Sequence, residues 1–160
     1  MNAAQWMEEA LSLAEEAATE GEIPVGAVIV DREGRVIGRG RNRRESGDPL
    51  GHAELLAIAE AARAIGDWRL EGATMVVTLE PCAMCAGALV NARVERLIFG
   101  AYDPKAGFCG TLGNLVQDPR LNHRLEVIGG FEEERAREQL QRFFQSLRRR
   151  EAKTERWQSG

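Results

Sequence analysis

His52 and the cysteine pair of Pro81-Cys82-Ala83-Met84-Cys85 stand about 30 residues apart, and each sits where a helical pattern begins. A fold that uses them together has to bring two helix N-termini to one place. Ala53 through Ile65 is rich in Ala, Leu and Glu and meets Gly66, so it reads as a helix opened by His52. Thr74-Met75-Val76-Val77-Thr78-Leu79 is a β-branched apolar strand, and Pro81 suits the first turn of a helix running to about Asn91.

The remaining pattern extends this alternation. Apolar residues from Trp6 to Ala18 recur at helical spacing within Ala4–Glu20, and Gly21 supplies a stop. Ile23 to Val30 and Arg35 to Gly40 read as a hairpin across a turn at Asp31–Gly34, with the first strand buried on both faces and the second nearer an edge. Asn42 to Gly51 is a polar loop carrying Asp48-Pro49. Val94 to Phe99 is a strand, Gly100 to Gly113 a glycine-rich loop, Leu125 to Ile128 a short strand and Glu132 to about Lys153 a long closing helix. Helices interleaved with strands imply an α/β fold, a sheet with helices on both faces. A single domain over residues 1–160 is expected, with no internal repeat.

Composition narrows the setting. The chain is 44% apolar and 29% charged, ordinary globular usage that excludes a disordered chain. No apolar run approaches the roughly 18 residues that span a bilayer, and the N-terminus lacks the basic-then-apolar order of a signal peptide, so a cytoplasmic location is expected. Three cysteines are too few for a disulfide scaffold, and in a reducing compartment Cys82 and Cys85 read as metal-binding or redox-active. The net charge of -4 hides a basic end: between Gln141 and Trp157, six Arg or Lys residues face only Glu151 and Glu155. That stretch is either a site for a polyanion or a solvated terminal helix, and order after Arg150 is left open.

The chemistry follows from donor types. A helix N-terminus carries partial positive charge, which favours thiolate, the form that binds a metal. Cys82 and Cys85 are three residues apart and fall on one helical face, so with His52 they make three zinc-type ligands. Three protein ligands leave a coordination position for water, the mark of a catalytic rather than a closed site. Glu54, two residues after His52, points differently from it and suits a carboxylate that moves the water's proton to a ring nitrogen or a leaving amine. His-x-Glu together with Pro-Cys-x-x-Cys is the signature of zinc deaminases. Three alternatives stand beside this reading: a thioredoxin-like redox pair, which leaves His52 and Glu54 without a role; a closed Cys2His2 zinc completed by His123; and a binding module built on structural zinc. Cys109 reads as a small buried or loop thiol.

On His52-Ala53-Glu54 and Pro81-Cys82-Ala83-Met84-Cys85, the chain resembles the cytidine-deaminase-like superfamily. Within it the chain is similar to the bacterial tRNA-specific adenosine deaminases. The likeness covers roughly Trp6 to Arg150 and takes in Pro24-Val25-Gly26-Ala27-Val28, Asn42, Thr78 to Ala88, Asp103-Pro104-Lys105-Ala106-Gly107, Leu121-Asn122-His123-Arg124 and Phe143-Phe144. The resemblance implies a three-layer α/β/α fold with a five-stranded mixed sheet, a homodimer with active sites near its interface, and hydrolysis of the wobble adenosine of a tRNA anticodon to inosine. It implies one zinc per subunit on His52, Cys82 and Cys85, with Glu54 as proton shuttle. Val25 and Asn42 would meet the purine, the amide of Asn42 both donating and accepting. From its local sequence alone Asn42 reads equally as a turn residue. Asp103, Lys105, Asn122 and His123 would contact sugars and phosphates of the anticodon loop, with Phe144 stacking and Arg148 pairing with phosphate. A deaminase of free bases or nucleosides accounts for the zinc motif equally well but gives no role to the basic last helix. Two positions depart from the family pattern: Tyr102 stands where some relatives carry a basic residue, and Phe108-Cys109 enlarge a loop position that is often small.

Overall fold

The computed structural model describes residues 2–158, with side chains through residue 155, so Arg156 and Trp157 of the basic stretch lie outside the described side chains. Helix α1 (Ala3–Thr19) is opened by a capping box: the Asn2 side chain accepts from Gln5 N at 3.1 Å and Gln5 Oε1 accepts from Asn2 N at 2.9 Å. Its Met7, Ala10, Leu11, Ala14 and Ala17 form one buried stripe at helical spacing. The chain then makes the hairpin of β1 (Gly26–Val30) and β2 (Val36–Arg41), helix α2 (Ala53–Ile65), strand β3 (Thr74–Leu79), helix α3 (Ala83–Asn91), strands β4 (Arg96–Ala101) and β5 (Glu126–Ile128), and helix α4 (Glu133–Gln158).

The five strands lie in the order β2-β1-β3-β4-β5. β1 pairs antiparallel with β2 and β3, while β3, β4 and β5 run parallel, so the sheet is mixed as expected. Because side chains alternate along a strand, the central strands feed two cores. Ala27, Ile29, Met75, Val77, Leu97 and Phe99 join α2 and α3 on one face. Val28, Val30, Val76 and Ile98 join α1 and α4 on the other. Every residue of β1 is buried and β2 forms an edge, as the hairpin pattern predicted. Among the described residues, no helix is long and apolar enough to cross a membrane.

Glycine sets how closely helices approach the hairpin. A Cβ on Gly40 would lie 2.1 Å from Ala53 O, and one on Gly26 would lie 2.0 Å from Ala10 O. These are backbone atoms that no side-chain rotation can move aside. A methyl group at Gly40 would therefore push away the first turn of α2, the turn that carries Glu54 and follows His52.

Several boundaries differ from the sequence reading, and β1 begins at Gly26 rather than Ile23. Cys82 is the extended N-cap of α3 (φ -73°, ψ 177°), so Pro81 precedes the helix instead of lying in its first turn. Glu95 and Arg96 both donate to Ala73 O, which delays regular pairing of β4 from Val94 to Arg96. Gly100 and Ala101 end β4 instead of beginning the loop, with Gly100 lying close under Ala136 of α4. Helix α4 continues past Lys153 to Gln158.

Candidate active site

The C-terminal end of β3 and the start of β1 open onto one cleft, at the edge of the sheet where parallel strands present their carboxyl ends. Two helix starts converge there. The loop before α2 is tied back by Arg43 N to Gly51 O at 2.7 Å and by His52 N to Leu50 O at 2.8 Å, which holds His52 extended as the N-cap of α2. The turn after β3 places Cys82 as N-cap and Cys85 three residues into α3. His52 Nδ1 lies 3.5 Å from Cys82 Sγ and 3.5 Å from Cys85 Sγ, and all three donor atoms fall within 4.8 Å of one another. Tetrahedral zinc with Zn–S about 2.3 Å and Zn–N about 2.0–2.1 Å separates neighbouring sulfur and nitrogen by about 3.6 Å, so this donor set fits the ion. No other His, Cys or carboxylate among the described residues joins the group.

The thiols differ in environment. The Cys85 thiol beside it, the nearby amides of Cys85 and Met84, and His52 pull half-buried Cys82 down to about 5. Cys85 is fully buried; sharing its hydrogen with Cys82 and lying beside Glu54 hold its proton on. Metal binding takes thiolates, so a cation here favours loss of that proton. Glu54 is 4% exposed and opens onto the same cleft; burial pushes its carboxyl up to about 7, opposed by a backbone amide, His52 and the Cys85 thiol. A carboxyl poised near neutrality beside a three-donor metal centre is suited to taking and returning a proton.

The cleft is walled by Ile23, Val25, Asn42, Leu79 and Asp103. Asn42 is buried, and its amide is oriented by two backbone contacts: Nδ2 donates to Ile23 O at 3.2 Å and Oδ1 accepts from Arg44 N at 3.2 Å. Each amide atom keeps one further bonding direction, so Asn42 has both a turn role and a face for a ligand. Asp103 Oδ1 accepts from Lys105 N and Ala106 N at 3.0 and 3.2 Å, forming a turn that leaves Lys105 exposed beside the cleft.

Other expected site residues lie elsewhere in the chain. His123 Nε2 donates to Val94 O at 2.7 Å, ahead of β4 and at the opposite end of the sheet from Cys82, with exposed Asn122 beside it. The closed Cys2His2 site is therefore not built. Phe143 is half-buried and lines a separate cavity together with the end of α1, whereas Phe144 and Arg148 are exposed on α4. Tyr102 packs edge-on against Phe99 at 5.0 Å rather than on the cleft, and Phe108 N donates to Pro81 O at 2.9 Å. Cys109 is buried, which raises its thiol well above the ordinary range. Glu80 is a buried carboxylate on this cleft that no motif points to; its one signal in the sequence is an acidic residue set between an apolar strand and the Pro81-Cys82 turn.

An α/β/α sheet that delivers His, Cys and Cys to one centre, with a buried carboxyl beside them, defines the class of zinc-dependent deaminases. In agreement, the family described as "Cytidine and deoxycytidylate deaminase zinc-binding region" matches residues 1–101. The chain belongs, within that class, to the family of tRNA-specific adenosine deaminases. It is 51% identical over 146 residues to the tRNA-specific adenosine deaminase of Bacillus subtilis (strain 168), covering 91% of this chain and 90% of that protein. It is 46% identical over 150 residues to the protein of the same description from Haemophilus influenzae, covering 93% and 86%. A solved structure from work on A-to-I editing by tRNA:A34 deaminases at the wobble position of transfer RNA aligns with a TM-score of 0.81 at 43% identity, covering 85% of this chain and 99% of that one.

Proposed function

We propose that the protein hydrolyses the wobble adenosine of a tRNA anticodon loop to inosine and releases ammonia, with one zinc per subunit held by His52 Nδ1 and the sulfurs of Cys82 and Cys85. The observation that carries the hydrolytic chemistry is the buried Glu54 carboxyl beside a three-donor centre, and the RNA substrate is supported by the likeness to tRNA-specific adenosine deaminases. Zinc bound there supplies a Lewis acid that makes water nucleophilic near neutral pH. Glu54 would take a proton from the attacking water as the water's oxygen adds to C6 of the purine, and would pass that proton to N1. Glu54 would then carry the proton left on the added oxygen to the exocyclic nitrogen, so that the C6–N bond breaks, ammonia leaves and C6 becomes a carbonyl.

The remaining residues hold the RNA. The free N–H and lone pair of Asn42 meet the edge of the base, and Val25 covers its face. Asp103 accepts from a ribose hydroxyl, which favours RNA over DNA, and Lys105 meets a phosphate. An unpaired anticodon base enters the cleft at less cost than one flipped from a duplex. Phe144 offers a stacking ring and Arg148 a phosphate partner. Asn122 and His123 lie at the far end of the sheet from the cleft of their own subunit, so they serve a cleft as contacts presented by the second subunit of a homodimer. A cytoplasmic site of action accords with a tRNA substrate and with three free cysteines.

The RNA side of this reading is tested by salt dependence. Replacing Arg148, Arg149 and Arg150 together with Ala removes three exposed cations. The slope of log K against log salt for an anticodon stem-loop should flatten by about 2, at roughly 0.7 per phosphate contact on a single strand. An unchanged slope would remove this end of α4 from the RNA path.

A further inference from the structure

Glu80 is 2% exposed and wrapped by the segment that follows β4. Its Oε1 accepts from Asp103 N at 3.0 Å and from the Thr111 hydroxyl. Its Oε2 accepts from Cys109 N at 3.1 Å and Thr111 N at 3.0 Å. Gly107 runs so close that a Cβ there would lie 2.4 Å from the carboxylate. The segment from Tyr102 to Thr111 has no helix or strand of its own, so its amides need other acceptors. A carboxylate is a strong acceptor, because charge-assisted hydrogen bonds are about twice as strong as neutral ones. The same loop supplies Asp103 and Ala106, beside Glu80 itself, to the wall of the cleft.

We propose that Glu80 is a positioning residue: it fixes the Asp103–Thr111 loop as one wall of the cleft, and through that wall it sets how tightly the RNA is held. This rests on the reading of the cleft as an RNA-binding site. Glu80 lies one residue before the Pro81-Cys82 turn, so one short segment couples the metal donors to the loop that meets the substrate. An amide at this position would turn an N–H toward at least one N–H donor, either that of Asp103 or those of Cys109 and Thr111, and release part of the loop.

The test compares Glu80→Gln, Thr111→Val and Thr111→Ser in the full chain. Each is measured for zinc content, for kcat and KM on an anticodon stem-loop, and, without RNA, for the rate at which trypsin cuts after exposed Lys105. Glu80→Gln should raise KM at least tenfold with kcat within about threefold, keep its zinc, and be cut at least tenfold faster after Lys105. Thr111→Val should move both readouts the same way by a smaller factor, and Thr111→Ser, which keeps the hydroxyl, should stay near wild type. If Glu80→Gln fails to fold, Thr111→Val against Thr111→Ser decides alone. Unchanged KM and unchanged cleavage would overturn the proposal. So would a fall in kcat and zinc content at constant KM, which would tie Glu80 to the metal centre instead. Trypsin reads the loop without substrate, so an unmutated protein inactive on the stem-loop would sink the RNA reading while leaving the anchoring result intact.

Discussion

Glu54→Gln is expected to lower single-turnover inosine formation by about 10²–10⁴, the range in which general acid–base groups contribute. The substitution keeps the shape of a side chain that is 4% exposed on the first turn of α2 and removes its ability to carry a proton. Fold and metal content should survive. His52, Cys82 and Cys85 supply the metal-type donors, and burial already disfavours the charged form of Glu54, so a neutral amide does not add a desolvation penalty. Zinc analysis and thermal unfolding beside the rate measurement separate loss of chemistry from loss of structure. A Glu54→Gln protein with wild-type turnover would mean that some other group moves the proton.

Removing the metal is expected to be the other large effect. Stripping zinc with a chelator should abolish turnover and lower Tm, and returning zinc should restore both. Binding to the folded form at 1,000 times the dissociation constant adds about 4 kcal/mol of stability, which for a chain of this size corresponds to roughly 8–16 °C in Tm. Cys82→Ala should behave as the stripped protein does and fail to recover with added zinc. Cys82 is a half-buried N-cap whose sulfur lies 3.5 Å from His52 Nδ1, and without it two donors are left. Full activity in the stripped protein, or a Tm indifferent to zinc, would refute a metal role for this centre.

Much of the architecture is written locally. Helix α2 was legible to the residue, because His52 and Gly66 bracket an Ala-rich stretch whose only strong breaks lie at its ends. The double burial of β1 followed from an unbroken apolar run, and the edge position of β2 from Arg and Gly within it. The metal-type donors were legible because two short motifs name residue types that serve little other purpose together. Glu80 was not, because its partners lie 23 to 31 residues further along the chain, and nothing near Glu80 announces them. The same holds for His123, whose bond to Val94 O depends on how the segment before β5 folds back under β4. The delayed start of β4 has a similar origin, one carbonyl of Ala73 shared by two amides. Asn42 shows the intermediate case, since a polar loop predicts a turn role and only the tertiary structure adds the cleft.

The central claim is that Glu54 and its neighbouring donors act on adenosine presented by RNA. The most direct measurement is kcat/KM for inosine formation by the zinc-loaded protein, taken side by side on an anticodon stem-loop with an unpaired wobble adenosine and on free adenosine. Inosine is expected at the wobble position, with a kcat/KM for the stem-loop at least 10³ above that for the nucleoside, the difference made by contacts a free nucleoside lacks, which at about 1–3 kcal/mol for each stacked base quickly reaches that factor. Equal rates on the two substrates, or deamination of free bases with none on the stem-loop, would contradict it.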